Sequence, residues 1–317
     1  MDKTLNDYFS NLSYLDVQSF KNISIIGVKT VTSNDKIVDL LPLKKGLDLG
    51  LVTISECEDG PSVNRVSVKN NAVTPLLILD GEELMGAKQN RIANNTYIIP
   101  AKTRMDIGVS CTEEGRWSSS FSDFKYSDHF ASSSVRRAKS EEIYKSLNRD
   151  GTRSPNQSRV WSEINDEIYS LDVESDTSAL RDMYTINKNR FEEYQSHFPI
   201  QENQTGSIIF INGKLVGVEL FHDGNLYKNY HDKIVESYIP NAIKSGGETL
   251  AKVDYDVLLK DFIDNILDSN PESFDIHGLN DEYRIDDENI TGSITLLDDD
   301  IISSSLFKKV ESWFLIF

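Results

Sequence analysis

Four long polar side chains follow one another between two apolar segments of the chain: Lys88, Gln89, Asn90 and Arg91. The guanidinium of an arginine is a planar fork that suits a carboxylate or a phosphate. Glutamine and asparagine supply both donors and acceptors, which the recognition of a sugar or a base edge requires. Because burying such groups without partners costs on the order of a few kcal/mol, the run indicates a solvated turn, internal hydrogen bonds between strands, or a ligand-binding surface.

Two neighbouring glutamates, Glu82 and Glu83, follow the turn-forming pair Asp80-Gly81. Successive side chains of a strand point to opposite faces, so a pocket on one face would receive one of the two. Either the pair lies at a solvated hairpin tip, or one of the two carboxylates serves as a general base or a ligand anchor.

A second polar segment, "SCTEEGRW", carries Cys111, Glu113, Arg116 and Trp117. If it begins as a strand, the thiol and the Glu113 carboxylate share a face. A neighbouring carboxylate raises the pKa of a thiol and disfavours the thiolate that a nucleophile needs. We therefore expect Glu113 to be a general base or ligand contact, and Cys111 to be a small buried residue or a ligand contact. Arg116 would contact an anion, and Trp117 would stack on a base or fill the core.

Strands must position these residues, because the first third of the chain consists of short β-branched runs bounded by Gly, Asn, Asp or Pro. The serine- and aromatic-rich residues 118–134 have no period and predict a surface loop or lid, which contains His129. Amphipathic helices follow, and strands return after residue 204. The sequence thus predicts an α+β fold in one domain over residues 1–317, with a β-rich N-terminal lobe with hairpins (1–117), a loop plus helices (118–200) and a second α/β lobe (201–317).

Three segments share an apolar run, a turn with Asp or Asn, and a second run: "PLLILDGEELMGA", "SIIFINGKLVGVELF" and "SITLLDDDIISSSLF". The pair Asn212-Gly213 in the second segment is the strongest of these signals, because a type I′ turn needs positive φ at both positions. The pattern predicts a β-hairpin in each segment. The three hairpins are either a weak internal repeat or independent hairpins, whose turn sequences recur without common origin.

The composition restricts the classes of partner. With 33 Lys and Arg against 51 Asp and Glu, the 317-residue chain has a formal charge of −18, so broad binding to nucleic acid or to an anionic membrane is not expected. A local basic pocket can still hold a small anion. Two distant cysteines, an acidic N-terminus without an apolar core and the lack of a membrane-spanning run predict a cytoplasmic protein. The five histidines show no metal-type spacing, so no metal site is predicted.

The segments "LDGEELMGAKQNR" and "VSCTEEGRW" resemble a bacterial family, the domain named for its association with ADP-ribosylglycohydrolases and rhodanese-phosphatase proteins. The resemblance continues through "GLVTISE", "NQSRVW", "QTGSIIFINGKLVGVELF" and "DDDIISSSLF", in the same order over most of the chain. It implies a place in NAD- and ADP-ribose-processing pathways and adds Gln157 to the expected ligand contacts. Asn156 stands where the family tends to have an acid, which weakens a ligand role at that position.

The residues and the resemblance together predict an intracellular protein that binds or processes a nucleotide- or ADP-ribose-like small molecule in NAD-related metabolism. Whether it is an enzyme stays open, and the sequence names no cofactor. The alternative is a non-catalytic ligand-sensing or protein-interaction module. The residues expected to do acid–base chemistry are Glu82, Glu83 and Glu113. Those expected to bind the ligand are Lys88, Gln89, Asn90, Arg91, Cys111, Arg116, Trp117 and Gln157.

Overall fold

The computed structural model describes residues 3–30, 39–58, 60, 62–116, 123–247 and 253–309. They fold into an α+β structure, which confirms the predicted class. The helices of these residues are α1 (Lys3–Ser10), α2 (Leu43–Asp48), α3 (Ser133–Asp150), α4 (Gln157–Ser170), α5 (Leu180–Ile186), α6 (Lys188–Gln195), α7 (Gly224–Lys228), α8 (His231–Ser245) and α9 (Tyr255–Asp268). The strands are β1 (Leu12–Phe20), β2 (Ile23–Thr30), β3 (Leu41–Pro42), β4 (Val52–Ser55), β5 (Arg65–Asn70), β6 (Leu76–Ile78), β7 (Glu82–Gly86), β8 (Arg91–Ala93), β9 (Tyr97–Ile99), β10 (Thr103–Cys111), β11 (Phe124–Phe130), β12 (Gly206–Ile211), β13 (Lys214–Phe221), β14 (Glu272–Asp275), β15 (Asp281–Asp286), β16 (Ile290–Leu297) and β17 (Asp300–Lys308). Over the same residues, no helix is long and apolar enough to cross a membrane.

The described strands form an eight-stranded, a six-stranded and a three-stranded sheet. The largest has the order β1-β2-β12-β13-β17-β16-β15-β14, so β1 and β2 join strands that follow residue 200. The six-stranded sheet has the order β11-β7-β8-β10-β5-β4, and the small sheet has the order β3-β6-β9. The division into lobes at residues 117 and 200 stays a prediction, and the largest sheet contains strands from both sides of it.

The eight-stranded sheet is apolar on both faces at its centre. Ile25 of β2 and Ile209 of β12 belong to a core cluster that they share with α3, α4 and α8. Ile26 and Ile208, one residue away, belong to a second cluster that contains the apolar faces of α1 and α9. Successive side chains of a strand point to opposite faces, so these continuous apolar runs are buried between two layers of helices.

Two of the three predicted hairpins are confirmed. β12 and β13 pair around Asn212 and Gly213, whose φ values are 49° and 70°. β16 and β17 pair around Asp298 and Asp299, whose φ values are 50° and 68°. The third prediction is wrong, because β6 pairs with β3 and β9 while β7 pairs with β8 and β11. The two glutamates that open β7 therefore do not lie at a hairpin tip.

The prediction of a surface loop over residues 118–134 is wrong for its second half, where β11 pairs antiparallel with β7. The register of this pairing shifts between Tyr126 and Phe130, and buried side chains recur at every third residue of the strand. A bulge interrupts the period of two that marks a regular strand, which explains why the sequence shows no strand pattern there. Residues 118–122 lie outside the described residues.

Helix α3 carries two buried cations, Arg136 and Lys139. Nη2 of Arg136 lies 2.6 Å from Oε1 of Glu219 in β13 and donates to the hydroxyl of Ser237 in α8 at 3.1 Å. Tyr238 of α8 donates to the same glutamate oxygen at 2.8 Å. Because a buried charge needs a partner, this ion pair holds α3, α8 and the eight-stranded sheet against one another.

Lys139 attaches the same helix to the first third of the chain. Its ammonium pairs with Asp80 and donates to the carbonyl of Ala93 at 2.9 Å. Gly81, which follows Asp80 in the chain, has a φ of +84°, and a Cβ at this position would collide with the side chain of Arg136. Glycine is therefore required here by the backbone conformation and by the close passage of the arginine.

The substitution Arg136→Met leaves Glu219 as a buried carboxylate without its counter-ion. We expect the free energy of unfolding, measured by urea denaturation, to fall by about 3–5 kcal/mol. The double variant Arg136→Met/Glu219→Gln removes both charges and is expected to be more stable than the single variant. Equal destabilisation by the two variants would show that the ion pair is not the source of the loss.

A buried carboxylate holds the N-terminus of α3. Ser132 is the N-cap of this helix and accepts a hydrogen bond from the backbone nitrogen of Val135. Glu167 of α4 accepts hydrogen bonds from the hydroxyls of Ser132, at 2.7 Å, and Ser134. Burial raises the pKa of Glu167 from its usual 4.5 to about 7, because the two serine donors only partly offset the lost solvation.

Glu167 should make the stability of the protein depend on pH. Between about pH 4.5 and 7 the folded state keeps a proton on this carboxyl that the unfolded state releases, so rising pH lowers the free energy of unfolding. Glu167→Gln removes this dependence. We expect its stability relative to the unsubstituted protein to improve by on the order of 1–3 kcal/mol between pH 5 and pH 8. Urea denaturation of both proteins at each pH measures it, and an unchanged difference would contradict the assignment.

Candidate functional site

The polar run that precedes β8 is tied together by internal hydrogen bonds. Arg91 is fully buried, and its Nη1 donates to Oε1 of Gln89 at 2.9 Å. Nε2 of Gln89 donates to the carbonyl of Glu113 at 2.9 Å, and Nη2 of Arg116 donates to Oδ1 of Asn90 at 3.2 Å. The run therefore joins the start of β8 to the segment after β10, as the internal-network interpretation expects. Lys88, at its start, is half-buried.

Glu113 lies within this network as an ionised anchor. Its Oε2 is 2.6 Å from Nη2 of Arg116, and its Oε1 accepts from the hydroxyl of Thr177 at 3.0 Å. Burial alone would raise the pKa of Glu113, but the hydrogen bonds and the charge of Arg116 outweigh it and lower that pKa below its usual value. Because a carboxylate with a lowered pKa is a weak proton acceptor at neutral pH, the geometry favours an anchoring role.

Cys111 and Gln157 meet through the backbone. The amide of Gln157 accepts from the nitrogen of Cys111 at 2.9 Å and donates to its carbonyl at 2.8 Å, so it takes the place of a neighbouring strand. The thiol is buried, and burial raises its pKa more than the backbone N–H of Glu113, which donates to the sulfur at 3.4 Å, and the charge of Arg91 lower it. This agrees with the argument against a thiolate, although burial is the main cause. Trp117 lies outside the described residues.

Glu82 and Glu83 belong to a different group of side chains. Both are completely buried on β7. Oε2 of Glu82 accepts from the backbone nitrogen of Leu79 at 2.8 Å, and its Oε1 lies 3.7 Å from Nζ of Lys233. Oε2 of Glu83 accepts from the hydroxyl of Ser127 at 2.5 Å, while its Oε1 is buried without a hydrogen-bond partner among the described residues.

Burial raises the pKa of both glutamates of β7. The charge of Lys233 offsets this effect in part for Glu82, and the Ser127 hydrogen bond does so for Glu83. A raised pKa makes a carboxyl group a better proton acceptor than an ordinary glutamate, which favours a role in general acid–base catalysis. In each of the two glutamates Oε1 has no hydrogen-bond partner among the described residues. That of Glu82 lies 3.7 Å from the ammonium of Lys233, whereas no cation is placed at ion-pair distance from that of Glu83 among the described contacts.

The side chains around Glu83 come from three elements, and we call the set the Glu83 site: Glu83 of β7, Ser127 and His129 of β11, and Lys233 and Glu236 of α8. Lys233 donates to the carbonyl of Ser127 at 3.0 Å. Nδ1 of His129 lies 2.8 Å from Oε2 of Glu236. The side chains of His129 and Glu236 are 19% and 12% exposed, whereas Glu83 is not exposed, so the histidine pair marks the approach from solvent.

The predicted residues thus form two groups rather than one cavity. Gln89, Asn90, Arg91, Glu113 and Arg116 form the first group, and Glu82 and Glu83 belong to the second. The groups are close, because Arg91 is paired with Leu84, the residue that follows Glu83 on the adjacent strand. Over the described residues, no set of His, Cys, Asp and Glu side chains is placed to hold a metal ion.

Two open grooves lie elsewhere on the surface, between β1, α1 and α9. Their volumes are about 500 and 330 Å³, and Tyr14, Asp256 and Leu259 contribute to both. None of the predicted residues lines them. We give priority to the Glu83 site because it combines buried acidic groups with a histidine that a carboxylate orients, whereas the grooves are open and lined by a mixture of apolar and mostly acidic side chains.

Residues 11–307 match the family described as the ARG and Rhodanese-Phosphatase-superfamily-associated Protein domain, ARPP-1. The chain belongs to the ARPP-1 family. The match covers both groups of side chains and all of the described strands, apart from Lys308 at the end of β17. No curated protein and no solved structure matches this ARPP-1 chain.

Sequence reasoning did not find Ser127, Lys233 or Glu236 in this ARPP-1 domain. Ser127 was hidden by the irregular period of β11. Lys233 and Glu236 lie in α8 beside the apolar stripe of Tyr230 and Ile234, and they are buried or nearly so. A charged residue next to a helical apolar stripe was the available signal, because long charged side chains on a buried face need partners.

The internal network makes a prediction about stability. Arg91→Ala removes a buried guanidinium and the partner of Gln89, and we expect it to lower the free energy of unfolding by about 2–4 kcal/mol. Arg159→Ala is the matched control, because Arg159 is 49% exposed and pairs with Glu163 on one helix face. Its effect should stay within about 0.5 kcal/mol. Thermal and urea unfolding of both variants measure the difference, and equal losses would show that the network is not stabilising.

Proposed function

We propose that this ARPP-1 protein binds and processes an ADP-ribose-like or other nucleotide-derived small molecule, with Glu83 as the group that transfers a proton. The observation that carries the proposal is the state of the Glu83 carboxyl. One oxygen is held by Ser127 at 2.5 Å, and the other is buried and unengaged among the described residues. Such a carboxyl is oriented by one bond and keeps its second oxygen for a reacting group.

The surroundings support proton transfer at this position. Lys233 is placed against Ser127 and Glu82 and lies 3.9 Å from the centre of the Tyr126 ring, so the cation is held in a fixed place. The pair of His129 and Glu236 lies at the partly exposed side of the site. The imidazole is oriented by a carboxylate, which is the arrangement that acid–base histidines use.

The substrate class rests on the family. Its description associates the domain with ARG proteins, which we interpret as ADP-ribosylglycohydrolases. This association favours ADP-ribose or an NAD-derived relative as the ligand. A cytoplasmic location is also part of the proposal, since both cysteines are buried and neither forms a disulfide.

A non-catalytic ligand-sensing module is the second candidate. The observation that favours it is the first group of side chains, in which Gln89 is bonded to Arg91 and to the carbonyl of Glu113 and Asn90 accepts from Arg116. Such a group provides a rigid frame for a binding surface and does not itself supply a proton donor. The two candidates differ in whether the bound ligand is converted.

Calorimetry with ADP-ribose and NAD at millimolar concentration, followed by analysis of the products, separates the candidates. Glu83→Gln keeps the shape of the side chain and an oxygen for Ser127, so we expect ligand binding to stay within about threefold while turnover falls by about 100-fold or more. Glu192→Gln, an exposed change in α6, is the control.

Each result has a defined meaning. Absence of binding to both ligands would remove the substrate class. Binding with full turnover by Glu83→Gln would remove the role of Glu83. Binding without turnover by the unsubstituted protein would support the sensing module instead.

A further inference from the structure

Arg181 is a cation at the junction of the two groups of side chains. The backbone nitrogen of Leu180 donates to the carbonyl of Thr112 at 2.9 Å, and Ala179 forms an isolated bridge with Glu113. The start of α5 is therefore fixed to the end of β10 by main-chain bonds. The position of Arg181 on this helix does not depend on its own side chain.

The guanidinium of Arg181 is directed toward β7. It contacts the sulfur of Met85, which lies two residues after Glu83 on the same face of the strand. A thioether is a weak acceptor, so this contact leaves the charge largely uncompensated. The adjacent carboxylate, Asp182, accepts instead from the hydroxyl of Ser175 at 2.6 Å. Among the described contacts, none pairs Arg181 with a carboxylate at ion-pair distance.

A second residue of α5 contacts the Glu83 site through His129. Tyr184, one helical turn after Arg181, stacks on His129 with ring centres 4.6 Å apart and an angle of 10° between the planes. Its hydroxyl is buried and has no hydrogen-bond partner within the described residues. Oε1 of Glu83 is in the same condition. Because buried polar groups are almost always hydrogen-bonded, two such atoms beside the same histidine indicate a place for polar groups of a ligand.

The other cations near Arg181 already bind groups of the protein. Arg91 and Arg116, which the sequence suggested as anion contacts, bind Gln89 and the Asn90–Glu113 pair. Lys233 binds the carbonyl of Ser127 and pairs with a glutamate of β7. In a chain with a formal charge of −18, a phosphate needs a local cation to approach a carboxylate.

We infer that Arg181 is the phosphate contact of the Glu83 site, and that the ligand is a sugar phosphate whose phosphate lies on Arg181 and whose sugar faces Glu83 and Tyr184. The inference rests on the proposed function and narrows its substrate class. Arginine suits this role because its fork can donate two parallel hydrogen bonds to a phosphate. The phosphate-bearing ribose of ADP-ribose and simple pentose phosphates share this chemistry.

The test compares Arg181→Met and Arg181→Lys with the unsubstituted full-length protein. The probes are ADP-ribose, ribose 5-phosphate and unphosphorylated ribose, each titrated by calorimetry. We expect Arg181→Met to weaken binding of the two phosphorylated probes by about tenfold or more and to leave the affinity for ribose unchanged. Arg181→Lys keeps the charge and should restore part of the loss.

Arg190→Met, an exposed change on the neighbouring helix α6, is the matched control and should bind all probes normally. Thermal unfolding of each variant confirms that the fold is intact. Unchanged binding of phosphorylated probes by Arg181→Met would overturn the inference, while a loss of turnover in Glu83→Gln would still uphold the proposed function. Equal weakening for ribose and ribose 5-phosphate would also overturn it, because the arginine would then not act on the phosphate.

Discussion

The structure depends on the two buried cations of α3. Arg136 is paired with Glu219 in the eight-stranded sheet, and Lys139 is paired with Asp80 in the first third of the chain. A buried charge without its partner costs several kcal/mol, so neither carboxylate can move away from the helix. Regions far apart in the sequence are thereby held to one helix. Gly81 permits this approach because it has no Cβ to obstruct the arginine.

The same two ion pairs position the Glu83 site. Asp80 is held by Lys139, and the glutamates of β7 follow it after a single glycine, so that ion pair fixes the start of the strand that carries them. On the other side, Ser237 and Tyr238 of α8 contact Arg136 and Glu219. Lys233 and Glu236 precede them within the same helix. β7 and α8, which these ion pairs hold, thus carry three of the five residues of the Glu83 site.

The two groups of polar side chains have different physical characters. In the group around Arg91 and Glu113, Arg116 compensates the charge of Glu113 and Arg91 donates to the amide of Gln89, which gives rigidity and little capacity for proton transfer. In the Glu83 site, burial shifts the carboxyl toward its neutral form and one oxygen stays unengaged within the described residues. Arg181 and the start of α5 connect the two, so a rigid frame lies directly beside the groups suited to chemistry.

The sequence by itself determined features that depend on local patterns. The α+β class follows from segment periodicity, and the β12–β13 turn follows from Asn212-Gly213. The irregular strand β11 was not predictable, because its bulge removes the period of two. Only the tertiary structure decided which carboxylate keeps an open oxygen. Ser127 is 44 residues from Glu83, and Glu236 is 107 residues from His129. Burial and hydrogen bonding set the protonation of a carboxyl, and both come from partners that the chain brings together only on folding.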